Sequence, residues 1–185
     1  MNAAKDSDEI LVKRAVDGDR AGFAALISRH YDLIFRVAWK WCGNREDAED
    51  IAQDVCIRLA RNLMSFDGKS RFSTWLYRVV LNATRDHHRK QQVNARKLAD
   101  WRADPIRPLV QMADDVEDEN ELEELWLAVR QLPARQCDAV MLVFGEELSH
   151  GEAASVLGCA EGTVSSNIHD AKKRLKRLLV QDARV

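Results

Sequence analysis

Arg78, Asn82, Arg85 and Arg89 recur at offsets of four, three and four, which stacks three guanidinium groups and an amide along one ridge of a helix. Just before them, Lys69, Ser70 and Arg71 stand close to Phe66, Phe72 and Trp75. Basic groups interleaved with aromatics suit unstacked, single-stranded bases. The cations follow phosphates, and a ring face accepts a base at about 1–3 kcal/mol. A solvated ridge above ordinary core aromatics would use the same residue types, so this segment alone leaves both readings open.

A second constellation points to duplex DNA. Ser149 followed by Glu152 makes a capping box, Ala153, Ala154, Val156 and Leu157 line one helical face, and Gly158 supplies a left-handed stop. Another helix opens near Gly162, with Val164, Ile168, Ala171, Leu175 and Leu178 inward at three- and four-residue intervals. Ser165, Ser166, Asn167, His169, Lys172 and Lys173 are left to face outward. This is the pattern of a helix-turn-helix, whose second helix lies in a major groove with its N-terminal residues on base edges.

A third set is acidic. Asp47, Asp50 and Asp54 sit three and four residues apart on one face at the start of a helix. The helix macrodipole favours carboxylates there by a few tenths to about 1 kcal/mol each. That accounts for Glu46 and Asp47 better than for Asp54, so a docking surface is the competing account.

Other chemistry has little support. His87 and His88 are adjacent, and neighbours on a helix point about 100° apart, so no metal site is expected. The sequence offers no Gly-rich phosphate loop, nucleophile–base pair or His-x-x-x-His spacing, so neither catalysis nor a cofactor is expected. Cys42, Cys56, Cys137 and Cys159 are scattered singly and read as small core hydrophobes in a reducing compartment. The opening MNAAKDSDEI carries neither a signal peptide nor a membrane span, so a cytoplasmic location without membrane insertion is expected.

The net charge of −2 argues against a chain that coats nucleic acid by itself. Its distribution is uneven: 16 basic against 13 acidic residues over 1–90, 4 against 7 over 91–120, and 8 against 10 over 121–185.

The elements needed to position these residues are all helical, because no run shows period-two alternation of strand-type residues. The spacing predicts a first helix from Asp8 to Val16 and a second with Phe23, Leu26, Ile27, His30, Tyr31, Ile34, Phe35, Ala38 and Trp41 on its inward stripe. A third is capped by Asn44, with Ala48, Ile51, Ala52, Val55, Leu59 and Leu63 inward. Ser73 caps a fourth, with Trp75, Leu76, Val79, Val80 and Ala83 inward. From Gln91 to about Asn120 the pattern fails, with Pro105, Pro108 and the acidic block Asp114–Glu119, and a flexible linker is expected. Beyond it, Leu122, Leu125, Trp126 and Val129 mark one helix, Leu132–Pro133 a turn, and Val140, Met141 and Phe144 the inward face of the next. The expectation is an all-α chain of two small helical domains, residues 1–95 and 121–185, joined by an acidic linker over 96–120, the second containing the helix-turn-helix.

Taken in order, these segments resemble a bacterial sigma factor of the extracytoplasmic-function group, over nearly the whole chain. Asp47–Ala48–Glu49–Asp50–Ile51–Ala52–Gln53–Asp54 resembles the segment that grips the clamp of RNA polymerase. Phe72–Ser73–Thr74–Trp75–Leu76–Tyr77–Arg78–Val79–Val80–Leu81–Asn82 is similar to the run that reads and melts the minus-ten promoter element. Leu132–Pro133–Ala134–Arg135–Gln136 and Glu161–Gly162–Thr163–Val164 resemble the opening and the reading helix of the domain that binds the minus-thirty-five element.

The resemblance implies that Asp47, Asp50, Gln53, Asp54 and Ile57 meet the core polymerase, through its beta and beta-prime subunits. It implies minus-ten contacts from Phe66, Lys69, Ser70, Arg71, Ser73, Thr74, Trp75, Arg78, Asn82 and Arg85, and minus-thirty-five contacts from Thr163, Ser165, Ser166, Asn167, His169, Lys172, Lys173 and Arg174. It also implies a non-enzymatic transcription factor for promoter DNA, held by an anti-sigma factor and needing no cofactor. One departure stands out: the family often has cations where this chain has Ser165, Asn167 and Asp170, so upstream contact is expected to weaken or to shift to His169, Lys172, Lys173, Arg174 and Arg177. A sigma-like decoy that binds an anti-sigma factor without reading DNA, and a helix-turn-helix repressor, are the rival classes.

Overall fold

Capping chemistry sets the helix ends of the N-terminal half. In a computed structural model, which describes residues 6–101 and 120–182, every regular element is helical. Helix α1 (Asp8–Val16) carries Asp8 and Glu9 in its first turn and Lys13 and Arg14 in its last, matching the macrodipole at both ends. Gly18, at φ 89°, turns the chain, and the Asp19 carboxylate accepts from the amides of Ala21 and Gly22 to open α2 (Arg20–Cys42). Arg14 donates to Asp19 and to Asp6, tying the two helices together. Where they cross, a Cβ on Gly22 would come within 2.8 Å of the Arg14 Cβ, so only glycine fits without a shift.

Helix α2 stops at Gly43, whose φ of 78° lets its amide return to the Trp39 carbonyl. Asn44 then caps α3 (Arg45–Asn62), its side-chain oxygen accepting from the Asp47 amide at 2.8 Å. A single 3-10 turn, Leu63–Ser65, leads to a loop and to α4 (Phe72–Trp101). Leu11, Leu26, Ile34, Val37, Ile51, Val55, Leu59, Leu76, Val80 and Leu81 are fully buried between these helices. Each such side chain contributes about 1.5–3 kcal/mol of transfer free energy as an upper bound.

Four details differ from the expectation. Helix α4 starts at Phe72, with the Trp75 amide bonded to the Arg71 carbonyl, so Ser73 lies inside the first turn and not at the cap. Its buried face is broader than one stripe, because Tyr77, Leu81 and Thr84 are buried as well, the Thr84 hydroxyl donating to the Val80 carbonyl at 2.9 Å. Tyr31, expected inward on α2, is exposed. Finally, α4 runs through Trp101, into the segment read as linker. Gln91, Gln92, Ala95, Arg96, Lys97 and Leu98 are helix formers with no glycine or proline among them, so propensity carries the helix on. Pro105, Pro108 and the block Asp114–Glu119 lie outside the described residues.

Contacts divide the chain after Gln92 into two units. The second contains α5 (Asn120–Arg130), α6 (Ala134–Val140), a π turn over Met141–Gly145, α7 (His150–Leu157) and α8 (Glu161–Asp182). The Ser149 hydroxyl accepts from the Glu152 amide at 3.2 Å and the Glu152 carboxylate from the Ser149 amide at 3.0 Å, which is the expected capping box. Gly158 is left-handed at φ 66°. Val129, Met141, Leu142, Ala153, Val156, Val164, Ile168 and Ala171 form the core. Phe144, expected inward, is 50% exposed, and Leu142 is buried instead. The π turn inserts a residue and rotates the face.

Of the cysteines, Cys137 is buried, and burial pushes its thiol up to about 12. Cys42, Cys56 and Cys159 are half-buried free thiols. Among the described residues no helix is long and apolar enough to cross a membrane.

Open space surrounds any Cβ added at Gly158, so a substitution there tests backbone conformation alone. Gly158→Ala is expected to destabilise the second unit by about 1 kcal/mol through its left-handed φ. A denaturant midpoint equal to that of the unaltered chain would remove this account of the turn.

Candidate nucleic-acid interface

The loop before α4 sits on an aromatic floor. The rings of Phe66 and Phe72 meet edge to face at 5.6 Å, Phe66 and Trp75 lie 5.6 Å apart, and Phe72 and Trp75 5.7 Å apart. His30 of α2 closes the cluster at 5.1 Å from Phe72, and its Nε2 donates to the Asp8 carboxylate at 3.0 Å. Phe72 is buried, while Phe66 and Trp75 are half-buried. Such tilted and edge-on pairs add about 0.5–1.5 kcal/mol beyond burial.

Above this floor the Asp67 carboxylate accepts from the Lys69 amide at 3.1 Å and pairs with the Lys69 ammonium at 2.9 Å, around Gly68 at φ 70°. Both partners are exposed, and an exposed pair of this kind contributes little to stability. Ser70 is half-buried and Arg71 exposed. Ser73 and Thr74, half-buried, occupy the first turn of α4. Past them, Arg78, Asn82 and Arg85 are all exposed along one ridge of α4, with an Arg85 guanidinium nitrogen 3.5 Å from the Asn82 side-chain oxygen.

The acidic helix divides its carboxylates. Asp50, Gln53 and Ile57 are exposed, and the Asp54 side chain is partly so while pairing with Arg58 at 2.8 Å. Arg58 also reaches Asp86 of α4 at 3.0 Å. Asp47, by contrast, faces α4: it accepts from Asn44 at 2.6 Å, His87 Nε2 at 2.7 Å and Gln91 at 2.8 Å. Burial works to raise its pKa, but these hydrogen bonds outweigh burial and hold the carboxyl below its ordinary value. The solvent ridge of α3 is therefore Asp50, Gln53, Asp54 and Ile57.

On α8, the Ser165 hydroxyl donates to the Glu161 carbonyl at 3.3 Å and lies 2.9 Å from His150 Nδ1. The Asn167 amide donates to the Thr163 carbonyl at 2.9 Å. Both side chains are thus folded back on the structure. Thr163, Ser166, His169, Lys172, Lys173 and Arg174 are exposed, and the Lys172 ammonium stands 5.3 Å from the centre of the Phe144 ring.

Two family models match the same segments that carry these ridges: Sigma-70 region 2 over residues 26–93 and Sigma-70, region 4 over residues 122–175. The ECF RNA polymerase sigma factor SigW of Bacillus subtilis is 31% identical over 176 residues, spanning 91% of this chain and 94% of that protein. SigM of Mycobacterium tuberculosis, also an ECF RNA polymerase sigma factor, is 33% identical over 173 residues, spanning 94% and 85%. The chain belongs to the ECF sigma factors of RNA polymerase.

Solved structures agree with that membership. CnrH, solved in complex with the cytosolic domain of CnrY, superposes with a TM-score of 0.69 at 26% identity, covering 96% of this chain and 99% of that one. RpoE of Bartonella quintana, solved with the anti-sigma factor NepR, gives 0.63 at 25% identity, covering 85% and 96%.

In this ECF sigma factor, residue spacing alone located the exposed cationic ridge and the capping box. It missed the long-range partnerships: Asp8 with His30 beside the aromatic floor, and His87 and Gln91 with Asp47. Those contacts join residues 22 and 40 positions apart, so no local pattern announces them. The neighbouring histidines do separate tasks, His87 on Asp47 and His88 Nδ1 3.2 Å from the Gln92 amide.

Because its pKa is depressed on folding, Asp47 contributes stability that is present above the unfolded value of about 3.9 and fades as pH falls through the lower folded value. Asp47→Asn should therefore be less stable than the unaltered chain near neutral pH, with the gap closing below about pH 4. Thermal melts across pH check this, and a constant gap would refute it.

Proposed function

We propose that this sigma factor docks on core polymerase through the Asp50, Gln53, Asp54 and Ile57 ridge of α3, at the beta-prime clamp, with Asp47 organising the start of that helix. Residues 1–95 would bind the polymerase and the minus-ten element, 96–120 would link, and 121–185 would bind the minus-thirty-five element. The observation that carries this reading is one exposed cationic ridge, Arg78, Asn82 and Arg85, rising from a basic loop over an aromatic floor. A base turned out of the non-template strand costs a few kcal/mol of stacking, and contacts in the loop between Phe66 and Arg71 offset it. The rings beneath are committed to one another, so they act as a rigid base for the loop, with Lys69 and Arg71 on phosphate and Ser70 toward the base.

Upstream, Thr163, Ser166 and His169 face the groove, and Lys172, Lys173 and Arg174 meet phosphate. Ser165 and Asn167, bonded to the backbone of their own helix, contribute less. Two modest DNA contacts on one polymerase act through effective concentration, which suits a chain of net charge −2. The factor positions and opens DNA in the cytoplasm, and the polymerase carries out the synthesis. The Bartonella RpoE was solved with the anti-sigma factor NepR, and CnrH with the cytosolic domain of CnrY, which supports an anti-sigma factor for this chain too.

Mixing the purified chain with core polymerase tests the reading at once: a holoenzyme on gel filtration and promoter-dependent transcripts are expected, and neither forming would overturn it. Asp50→Arg places a cation on the exposed ridge and should weaken polymerase binding by more than about tenfold while the helical content stays unchanged. Undiminished binding would remove the docking surface. Asn82→Ala should lower open-complex formation, read by permanganate reactivity of unpaired thymines, more than closed-complex binding. Equal losses in the two would contradict a melting role.

A further inference from the structure

The helical period that turns Val140 and Met141 inward would bury Phe144 too, yet its ring stands half exposed on the surface of the second unit. Backbone geometry holds it there. The Glu146 amide bonds to the Met141 carbonyl at 2.9 Å, a five-residue step, and the Leu148 amide returns to the Leu142 carbonyl at 3.1 Å. Between them Glu147 adopts φ 55°, a conformation that residues other than glycine seldom take. That π-type exit leaves the aromatic ring in water beside a charged neighbour. Its face lies 5.3 Å from the Lys172 ammonium.

We propose that Phe144 is a positioning residue for promoter binding: its ring holds the Lys172 ammonium on the flank of α8 so that it meets a phosphate of the upstream duplex. The proposal rests on the reading of α8 as the DNA-contacting helix. Lys172 is the first lysine or arginine of α8, since none occurs between Glu161 and Ala171. It shares a ridge with Ser165 and His169, at offsets of four and three, and the contact of Ser165 with His150 sets that same ridge beside the start of α7. A lysine on a flexible stem loses rotamer freedom when it binds phosphate, and a ring that already gathers the stem lowers that loss. An exposed cation–π contact is weak enough to leave the ammonium available to the anion.

The test uses holoenzyme made from the full chain. Duplexes are selected from a random library by the unaltered holoenzyme, and affinity for the best duplex is measured across salt concentrations for Phe144→Leu, Phe144→Trp, Lys172→Ala, the Phe144→Leu/Lys172→Ala double variant and Lys172→Glu/Lys173→Glu. Phe144→Leu keeps apolar bulk without a π face, so it and Lys172→Ala should each lose about two- to fivefold in affinity. Lys172→Ala should flatten the salt slope by about 0.9, and Phe144→Leu by part of that amount. Phe144→Trp should keep both affinity and slope, and the double variant should bind no worse than Lys172→Ala. Losses that multiply in the double variant, a silent Phe144→Leu or a silent Lys172→Ala would overturn the proposal. If Lys172→Glu/Lys173→Glu leaves affinity unchanged, the reading of α8 itself fails. A loss there beside a silent Phe144→Leu sinks only the role of Phe144.

Discussion

The N-terminal unit depends on the burial of α4. Phe72, Leu76, Tyr77, Val80, Leu81, Ala83 and Thr84 are all buried, and at about 100° per residue they occupy roughly half the circumference of the helix. Arg78, Asn82 and Arg85 fall within the remaining arc and are exposed. A helix gripped on two flanks cannot roll, so the ridge that would approach DNA is aimed by packing on the far side. The proposed nucleic-acid surface is thus a by-product of a hydrophobic arrangement, and it is rigid for the same reason that the core is.

Ionic contacts extend this arrangement without creating it. Arg58 spans from Asp54 on its own helix to Asp86 on α4, and Asp47 collects three donors from Asn44, His87 and Gln91. Each links α3 to α4 or secures its first turn. Carboxylates that look equivalent by spacing therefore serve different ends: Asp47 is spent on the fold, whereas Asp50 stays in solvent. Removing a half-buried, fully partnered carboxylate strands the donors around it, while changing an exposed one alters only what it can meet.

The second unit follows more local rules. Its capping box, left-handed Gly158 and inward Val164, Ile168 and Ala171 are read directly from short-range sequence, because each is a contact within one or two helical turns. The π turn is not of this kind. Met141–Gly145 contains no residue that signals it, and with it the expected place of Phe144 reverses. A single inserted residue rotates everything beyond it, so period-based reading fails at that point and recovers at Ser149.

By itself, the sequence determined the helical class, nearly every helix end that is made by a cap or a glycine, the inward stripes of α3 and α8, and the ridge of Arg78, Asn82 and Arg85. These follow from spacing and side-chain chemistry within a few residues, where propensity and capping act. Tertiary structure alone decided that Tyr77 and Leu81 join the core, that Asp47 turns to His87, that His30 and Asp8 underpin the aromatic floor, and that Phe144 meets Lys172. Those outcomes depend on which helix lies across which, and that choice is made by the summed burial of many side chains far apart in the chain, which no local pattern encodes.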